Sequence, residues 1–468
     1  MTPITRRFCA AYHMGPMTRH SNPIITGPGN TPWTVLAIAT MLTGVAAGIG
    51  GMLVALLLHL VQHIAYDYSL GSLIGSKSFL EGVSASSPAR RFIVLLLCGF
   101  VAGIGWLAVY RFGRPLVSVR KAVNSVARMP PLTTAAHVLL QTVTVAMGSP
   151  LGREVAPREI GALLATNLSG RLRLGEEEGR ILIACGAGGG LAAVYNVPFG
   201  AALFILETLL GTFRFAAVLP AITTSVIAAY VARLGLGNHT QYSLPSLVMT
   251  PPLVIWSIIT GPIFGLAAWW FAKATSTARA RAPRGWRLLV CCIAVFTAIG
   301  AFAIPFPEIL GNGKGIAQMG FAGDLSIELG AILLVIRAAI TIGCLCAGAE
   351  GGLLTPSVAM GTLLATVIGG AWSLAWPGVM PGAFAIVGAA AFVAVSMKMP
   401  MTAVALILEF TRVGPDFIVP VLFAVAGSVS VGELCALRER KKNELFSAET
   451  LSAGPAPAPD FLEQQGRV

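Results

Sequence analysis

The chain has 468 residues, 55% of them hydrophobic and 11% charged, with a mean hydropathy of +0.78. Soluble domains carry about 25% charged residues, so this balance argues against a soluble protein and for a bilayer. The net charge of +12 does not indicate nucleic acid, because the basic residues flank apolar runs.

Residues 1–32 hold Arg6, Arg7 and Arg19 and no acid, and are expected to be a cytoplasmic N-terminal segment. The apolar run that follows is far longer than a signal-peptide core, so no cleavable leader is expected. Apolar runs of about 20 residues are long enough to span a ~30 Å core. They occur at 33–66, 91–110, 215–232, 251–272, 287–306, 328–347 and 416–436. Shorter runs, interrupted by Gly or Pro, occur at 115–126, 135–147, 155–166, 181–207, 352–372 and 383–410. Broken backbone is tolerated in lipid only where protein or a water-filled cavity satisfies it, so these pieces are expected around a pathway.

The loop 273–287, with Lys273, Arg279, Arg281, Arg284 and Arg287, reads as cytoplasmic by the positive-inside rule. So does the tail 437–468, with Arg438, Arg440, Lys441 and Lys442. Loop 67–89 and the linker 234–250, which has no Lys or Arg, read as external. Both termini are therefore expected inside. Six of the eight Cys (Cys98, Cys185, Cys291, Cys292, Cys344 and Cys346) lie in or beside apolar runs without metal spacing, and read as small buried hydrophobes.

The chain repeats itself. Asn196-Val-Pro-Phe-Gly-Ala-Ala-Leu-Phe-Ile-Leu-Glu207 resembles Lys398-Met-Pro-Met-Thr-Ala-Val-Ala-Leu-Ile-Leu-Glu409, an offset of 202 (400 − 198). Gly161-Ala-Leu-Leu-Ala-Thr166 resembles Gly361-Thr-Leu-Leu-Ala-Thr366, an offset of 200 (361 − 161). Two matches in the same order at nearly one offset are hard to obtain by chance. A half at 33–233 that begins inside and a half at 251–436 that begins outside form an inverted-topology repeat, an architecture of transporters with sites at the midplane. The predicted fold is thus an all-α polytopic membrane protein with many short, broken helices.

Three segments carry candidate chemistry. In Gly148-Ser-Pro-Leu-Gly-Arg-Glu-Val-Ala-Pro157, a helix is predicted to start after Glu154, with Pro157 in its first turn. A helix N-terminus carries about +0.5 charge and unpaired N–H groups, and binds anions. A carboxylate tethered there occupies an anion's place, and protonation releases it; the alternative is a capping Glu with no role in traffic. Intramembrane acids are costly and usually functional. Gly348-Ala-Glu-Gly-Gly-Leu-Leu-Thr-Pro356 is the related segment of the other half, expected to aim the amides of Leu353 and Leu354 at the same place, or else to be a Gly-rich packing turn. Gly113-Arg-Pro-Leu-Val-Ser118 opens a short run with Pro115 at a predicted helix start, and reads equally as an anion-facing end or as a plain loop. Arg153 is expected to tie down the Glu154 turn, Arg158 and Glu159 to pair elsewhere in the protein, and Arg337 and Lys398 to be structural or to line a vestibule.

These motifs resemble those of the CLC chloride channel and transporter family. Gly152-Arg-Glu154 matches the opening of its G-R-E-G-P motif, and Gly352-Leu-Leu-Thr-Pro356 its G-x-F-x-P motif with Leu354 in the Phe place. Gly311-Asn-Gly-Lys-Gly315 resembles its mid-chain turn, and the two Pro-to-Glu stretches resemble the helices that carry them. The resemblance runs from about residue 35 to 436. It implies a homodimer in a cell inner membrane, one anion pathway per subunit, Glu154 as external gate, and chloride as main substrate. The anion site it implies involves Gly152, Arg153, Val155, Leu353 and Leu354, with Pro115 and Leu116 from the third segment. No cofactor and no nucleic acid are implied.

The chain departs from the family at four places. Val155 and Ala156 replace Gly-Pro after the gate, Pro115 falls where a central Ser is expected, and no Tyr follows Tyr242. The exchangers' paired acids become Glu207-Thr208, so the proton-path position is Thr208, with Glu207 a weaker substitute. The resulting expectation is anion transport with weak or no proton coupling; proton-coupled chloride exchange and fluoride export are the alternatives. An intramembrane enzyme is not expected, since the six His include no H-E-x-x-H and neither G-x-S-G nor G-x-G-D occurs.

Overall fold

The structure, a computed structural model, describes residues 32–67 and 77–452, with side chains to residue 444. Arg6, Arg7 and Arg19, part of the loop 67–89 and the end of the tail lie outside the described residues. In the first half the helices are α1 (Trp33–Tyr66), α2 (Phe79–Ala85), α3 (Pro88–Phe112), α4 (Val119–Ser125), α5 (Pro131–Ala146), α6 (Val155–Leu172), α7 (Glu176–Tyr195), α8 (Pro198–Phe204) and α9 (Phe215–Leu236). Helix α8 runs on as a π-helical turn, Ile205–Leu210. The second half holds α10 (Pro251–Ala280), α11 (Trp286–Phe302), α12 (Lys314–Ala322), α13 (Ile327–Ala347), α14 (Leu354–Ala375), α15 (Pro381–Ser396), α16 (Pro400–Thr411) and α17 (Ile418–Ser452). Seven described helices are long and apolar enough to cross a membrane.

Burial sorts these helices into two classes. Every residue from Ile181 to Tyr195 in α7, and from Gly382 to Ala394 in α15, is buried. A helix apolar on all sides belongs in the interior. The long helices instead turn large apolar side chains outward, as at Leu53, Leu97, Ile258 and Leu422, which is the surface a bilayer covers. The interior helices pack backbone on backbone. A Cβ on Gly161 would lie 2.0 Å from the carbonyl oxygen of Gly186, and one on Gly361 would lie 2.6 Å from that of Gly388. Small residues at such crossings give close van der Waals packing where lipid supplies no hydrophobic drive.

These equivalent contacts run through the whole molecule. Helices α6 and α7 pack as α14 and α15 do, and α1 and α9 pack as α10 and α17 do. The breaks are equivalent too: Asn196 and Lys398 both adopt left-handed φ (56° and 55°) just before Pro198 and Pro400 open the next helix. Each of those helix starts is capped from the opposite half. Glu409 accepts the N–H of Phe199 (3.0 Å) and Gly200 (2.6 Å). Glu207 accepts the N–H of Met401 (3.0 Å) and Thr402 (2.7 Å), and the Thr402 hydroxyl (2.6 Å). Reciprocal contacts at a constant offset of 202 (401 − 199, 409 − 207) define a pseudo-two-fold axis, the mark of the inverted repeat.

Four expectations need correction. The run 115–126 does not open at Pro115: residues 114–117 lie outside any helix, and α4 starts at Val119 because the Ser118 hydroxyl accepts the Lys121 N–H. Helix α6 continues to Leu172, beyond the expected 166, and α17 continues through the expected tail to Ser452. The runs 181–207 and 383–410 are interrupted at Pro198 and Pro400 as expected, and each is two helices. Of the cysteines expected to be buried, Cys98, Cys185, Cys292 and Cys344 are, but Cys291 is half-buried and Cys346 is exposed.

Glu409→Ala removes both acceptors from the start of α8 and should lower stability by on the order of 1–2 kcal/mol. Glu207→Ala should cost a similar amount because its contacts are equivalent. Thermal unfolding of the purified protein in detergent measures both; midpoints unchanged in the two variants would show that this capping contributes nothing.

Candidate functional site

The site forms where the two Gly-rich segments meet. Gly152 N–H donates to the Gly352 carbonyl (2.7 Å) and Gly352 N–H to the Gly152 carbonyl (2.9 Å), an antiparallel bridge between equivalent residues. The segment leading to it is held from three other elements. Buried Arg337 of α13 donates to the carbonyls of Ile309 (2.8 Å), Gly311 (2.7 Å) and Pro150 (2.8 Å). Gly311 N–H donates to the Gly148 carbonyl at 2.9 Å, and the Tyr66 hydroxyl to the Met147 carbonyl at 2.8 Å. Gly148 itself has φ +107°, which a side chain would strain. Arg337 is thus a fastener of broken backbone, the structural one of its two expected roles.

Glu154 follows this anchored loop and precedes the first turn of α6, with Pro157 in that turn. It is 1% exposed. Its side chain reaches across the bridge to the other half: Leu354 N–H, at the start of α14, donates to Oε1 at 2.6 Å. The carboxylate lies against the two glycines. A Cβ on Gly152 would sit 2.1 Å from Oε2, and one on Gly352 1.9 Å from Oε1. The Tyr195 hydroxyl is 3.4 Å from Oε2 and 2.9 Å from Oγ1 of Thr355. A buried carboxylate therefore occupies the positive end of a helix, between the Tyr195 hydroxyl and a backbone amide.

The other expected site residues divide. Val155 and Leu354 are the first residues of α6 and α14, and Leu353 is the N-cap of α14, so all three flank the carboxylate. Gly152 is adjacent, but its N–H is taken up by the bridge. Arg153 does not ion-pair with Glu154; it donates to Gln241 Oε1 (3.1 Å) and lies over the Tyr195 ring at 5.0 Å. It ties the Glu154 turn to a side chain of the linker 234–250 instead. Pro115 is exposed and Leu116 half-buried in the run before α4, unlike buried Glu154. Thr208 lies in the π-turn with its hydroxyl buried and unbonded among the described residues. Glu207 is engaged at the start of α16. Glu159 pairs with His137 (2.7 Å), while Arg158 lies over the Phe204 ring at 4.5 Å.

Tyr195 is the site residue that sequence reasoning missed. Its one local signal is its place directly before Asn196-Val-Pro198. Its carbonyl accepts from Gln241 Nε2 (3.0 Å), and its ring packs on Phe410 with centroids 5.4 Å apart. Among the described residues no group of three His, Cys, Asp or Glu is placed to hold a metal ion.

The voltage-gated chloride channel family model matches residues 98–433, more than two thirds of the chain. The chain belongs to the CLC family. Membership makes it a multi-pass membrane protein of anion transport rather than an enzyme. It is 26% identical over 427 residues to the H(+)/Cl(-) exchange transporter ClcA of Vibrio parahaemolyticus, covering 87% of this chain and 88% of that protein. It is 27% identical over 428 residues to ClcA of Cronobacter sakazakii, covering 86% and 87%. The CLC fold is also shared with a slow cyanobacterial Cl−/H+ antiporter at TM-score 0.74 and 19% identity, covering 88% of this chain and 99% of that one. A CLC-type fluoride/proton antiporter superposes with TM-score 0.62 at 20% identity, covering 86% and 95%.

Proposed function

We propose that this CLC protein carries chloride or a similar small anion through one pathway per subunit of a homodimer, gated by Glu154, with weak or no proton coupling. The observation that carries this reading is the Glu154 carboxylate seated on the Leu354 N–H, at the start of a helix from the opposite half. A negative group that fills a buried, positively polarised pocket bars an anion from it, and admits one when it is protonated or swings away. The amides of Val155, Leu353 and Leu354 line the place it leaves. The charge pattern supports cytoplasmic termini, with residues 234–250 as the external linker between the halves.

Weak coupling is supported by the proton-path position. Thr208 has no titratable group, and Glu207 already accepts three hydrogen bonds at the start of α16. Coupled exchange is the second reading, favoured by relatives named H(+)/Cl(-) exchange transporters.

Glu154→Gln should raise anion flux from reconstituted vesicles at neutral pH by on the order of tenfold, the factor that one charge-assisted hydrogen bond supplies. It should also abolish the pH dependence of flux. Flux equal to wild type at every pH would end the gate assignment.

Gly352→Ala should act on the same gate while leaving Glu154 intact. The added methyl meets the flexible end of the Glu154 side chain, so the carboxylate moves off Leu354 rather than the backbone shifting. Faster flux that keeps some pH dependence is the expected result; wild-type flux would show that the seated carboxylate is no barrier.

A chloride gradient across wild-type vesicles should drive little or no uphill proton movement, while Thr208→Glu should create some without slowing chloride. Fixed-ratio proton transport by the wild type would overturn the weak-coupling reading and leave coupled exchange.

A further inference from the structure

The hydroxyls that the family resemblance leads one to seek at Pro115 and near the C-terminus are absent from those positions, yet the Tyr195 hydroxyl lies 3.4 Å from Glu154 Oε2 and is bonded in turn to Thr355 Oγ1. We infer that the anion which replaces the Glu154 carboxylate is held by the Tyr195 hydroxyl, oriented by its bond to Thr355 Oγ1, together with the Leu354 N–H. This assignment rests on the gate reading above and names the donors of that same site.

The argument is a count of protons. Tyr195 and Thr355 are buried, 3% and 4% exposed, and their oxygens are 2.9 Å apart. Each hydroxyl has one proton. One proton serves the bond between them, and the other is free to point at Glu154 Oε2, 3.4 Å from the Tyr195 oxygen. Leu354 N–H bonds the other carboxylate oxygen. When the carboxylate leaves, a hydroxyl proton and an amide lose their acceptor in a buried place, at a cost comparable to a lost hydrogen bond each. A small monovalent anion accepts from both at once.

The donors are held in position before any anion arrives. The Tyr195 ring is fixed between Phe410 and the Arg153 guanidinium, and its carbonyl by Gln241. Thr355 is in the first turn of α14, where the helix dipole favours negative charge. The Arg153 guanidinium over the ring adds positive potential without closing an ion pair. Fixed donors of this kind bind without reorganising. The repeat counterparts of these residues, Met397 (195 + 202) and Val155 (355 − 200), carry no hydroxyl. The hydroxyl pair is therefore a property of this one site and not of the repeated scaffold.

The test is chloride titration by isothermal calorimetry on detergent-purified Glu154→Gln protein, alone and combined with Tyr195→Phe or Thr355→Val. Tyr195→Phe keeps the ring and removes the proton. It should weaken chloride binding by about tenfold, and Thr355→Val should also weaken it, through the lost partner that orients Tyr195. Thr355→Ser, which keeps a hydroxyl, should bind like the parent. Thr355→Val leaves the Tyr195 packing intact and carries the test should Tyr195→Phe fail to purify. A Glu154→Gln protein that binds no chloride overturns the gate reading, and this assignment with it. Binding that stays within about twofold of the parent in the hydroxyl variants overturns the hydroxyl assignment alone.

Discussion

Two hydrogen bonds between Gly152 and Gly352 join the halves at a place where both backbones are broken inside the membrane. Irregular backbone at that depth survives only if its polar groups find partners. Here each half supplies the partner of the other. The surrounding ties from Arg337, Gly311 and Tyr66 act on the same loop and leave it little freedom. Glycine at both bridging positions leaves the space above them to the Glu154 carboxylate. The charged group, the bare backbone beneath it and the helix end it touches are thus consequences of one join.

Near the join the scaffold is symmetric while the chemistry is not. At an offset of 200, Glu154 corresponds to Leu354, so the carboxylate bonds the amide of its own counterpart. Arg153 corresponds to Leu353, and Val155 to Thr355. At an offset of 202, Thr208 corresponds to Phe410, which supports the Tyr195 ring. Equivalent positions therefore divide the tasks: one half supplies the negative group, the cation above the ring and the phenol, and the other supplies the helix end and the second hydroxyl. A duplicated frame fixes the geometry, and substitutions on one side of the axis make the chemistry asymmetric.

What the sequence discloses and what it hides follow from the range of the interactions. Apolar runs such as 33–66 are legible because membrane burial depends on composition along a short stretch. The Glu154–Pro157 helix start is legible because a Pro in the first turn is a local signal. The repeat makes the meeting of Gly152 and Gly352 an expectation although 200 residues separate them. Tyr195 is hidden because its partners, Glu154 and Thr355, come from two other helices and nothing beside it in the chain indicates a polar task. The start of α4 is misplaced at Pro115 because the Ser118 cap outweighs the proline's preference for a first turn. The π-turn at Ile205–Leu210 contains neither Gly nor Pro, so no residue within it announces the altered winding.

The exchange of Glu207 and Glu409 between the halves has a bearing on how the protein is made. Synthesis delivers the N-terminal half to the bilayer first. At that stage the amides of Phe199 and Gly200 have no Glu409 to receive them, and Glu207 has no helix end to cap. The early half enters lipid with an unsatisfied helix end at Phe199 and Gly200 and an unmatched acid at Glu207, both of which are costly there. The first half is consequently an incomplete object until the second arrives. Assembly of the two is bound up with insertion itself, and it cannot be a docking of two finished units.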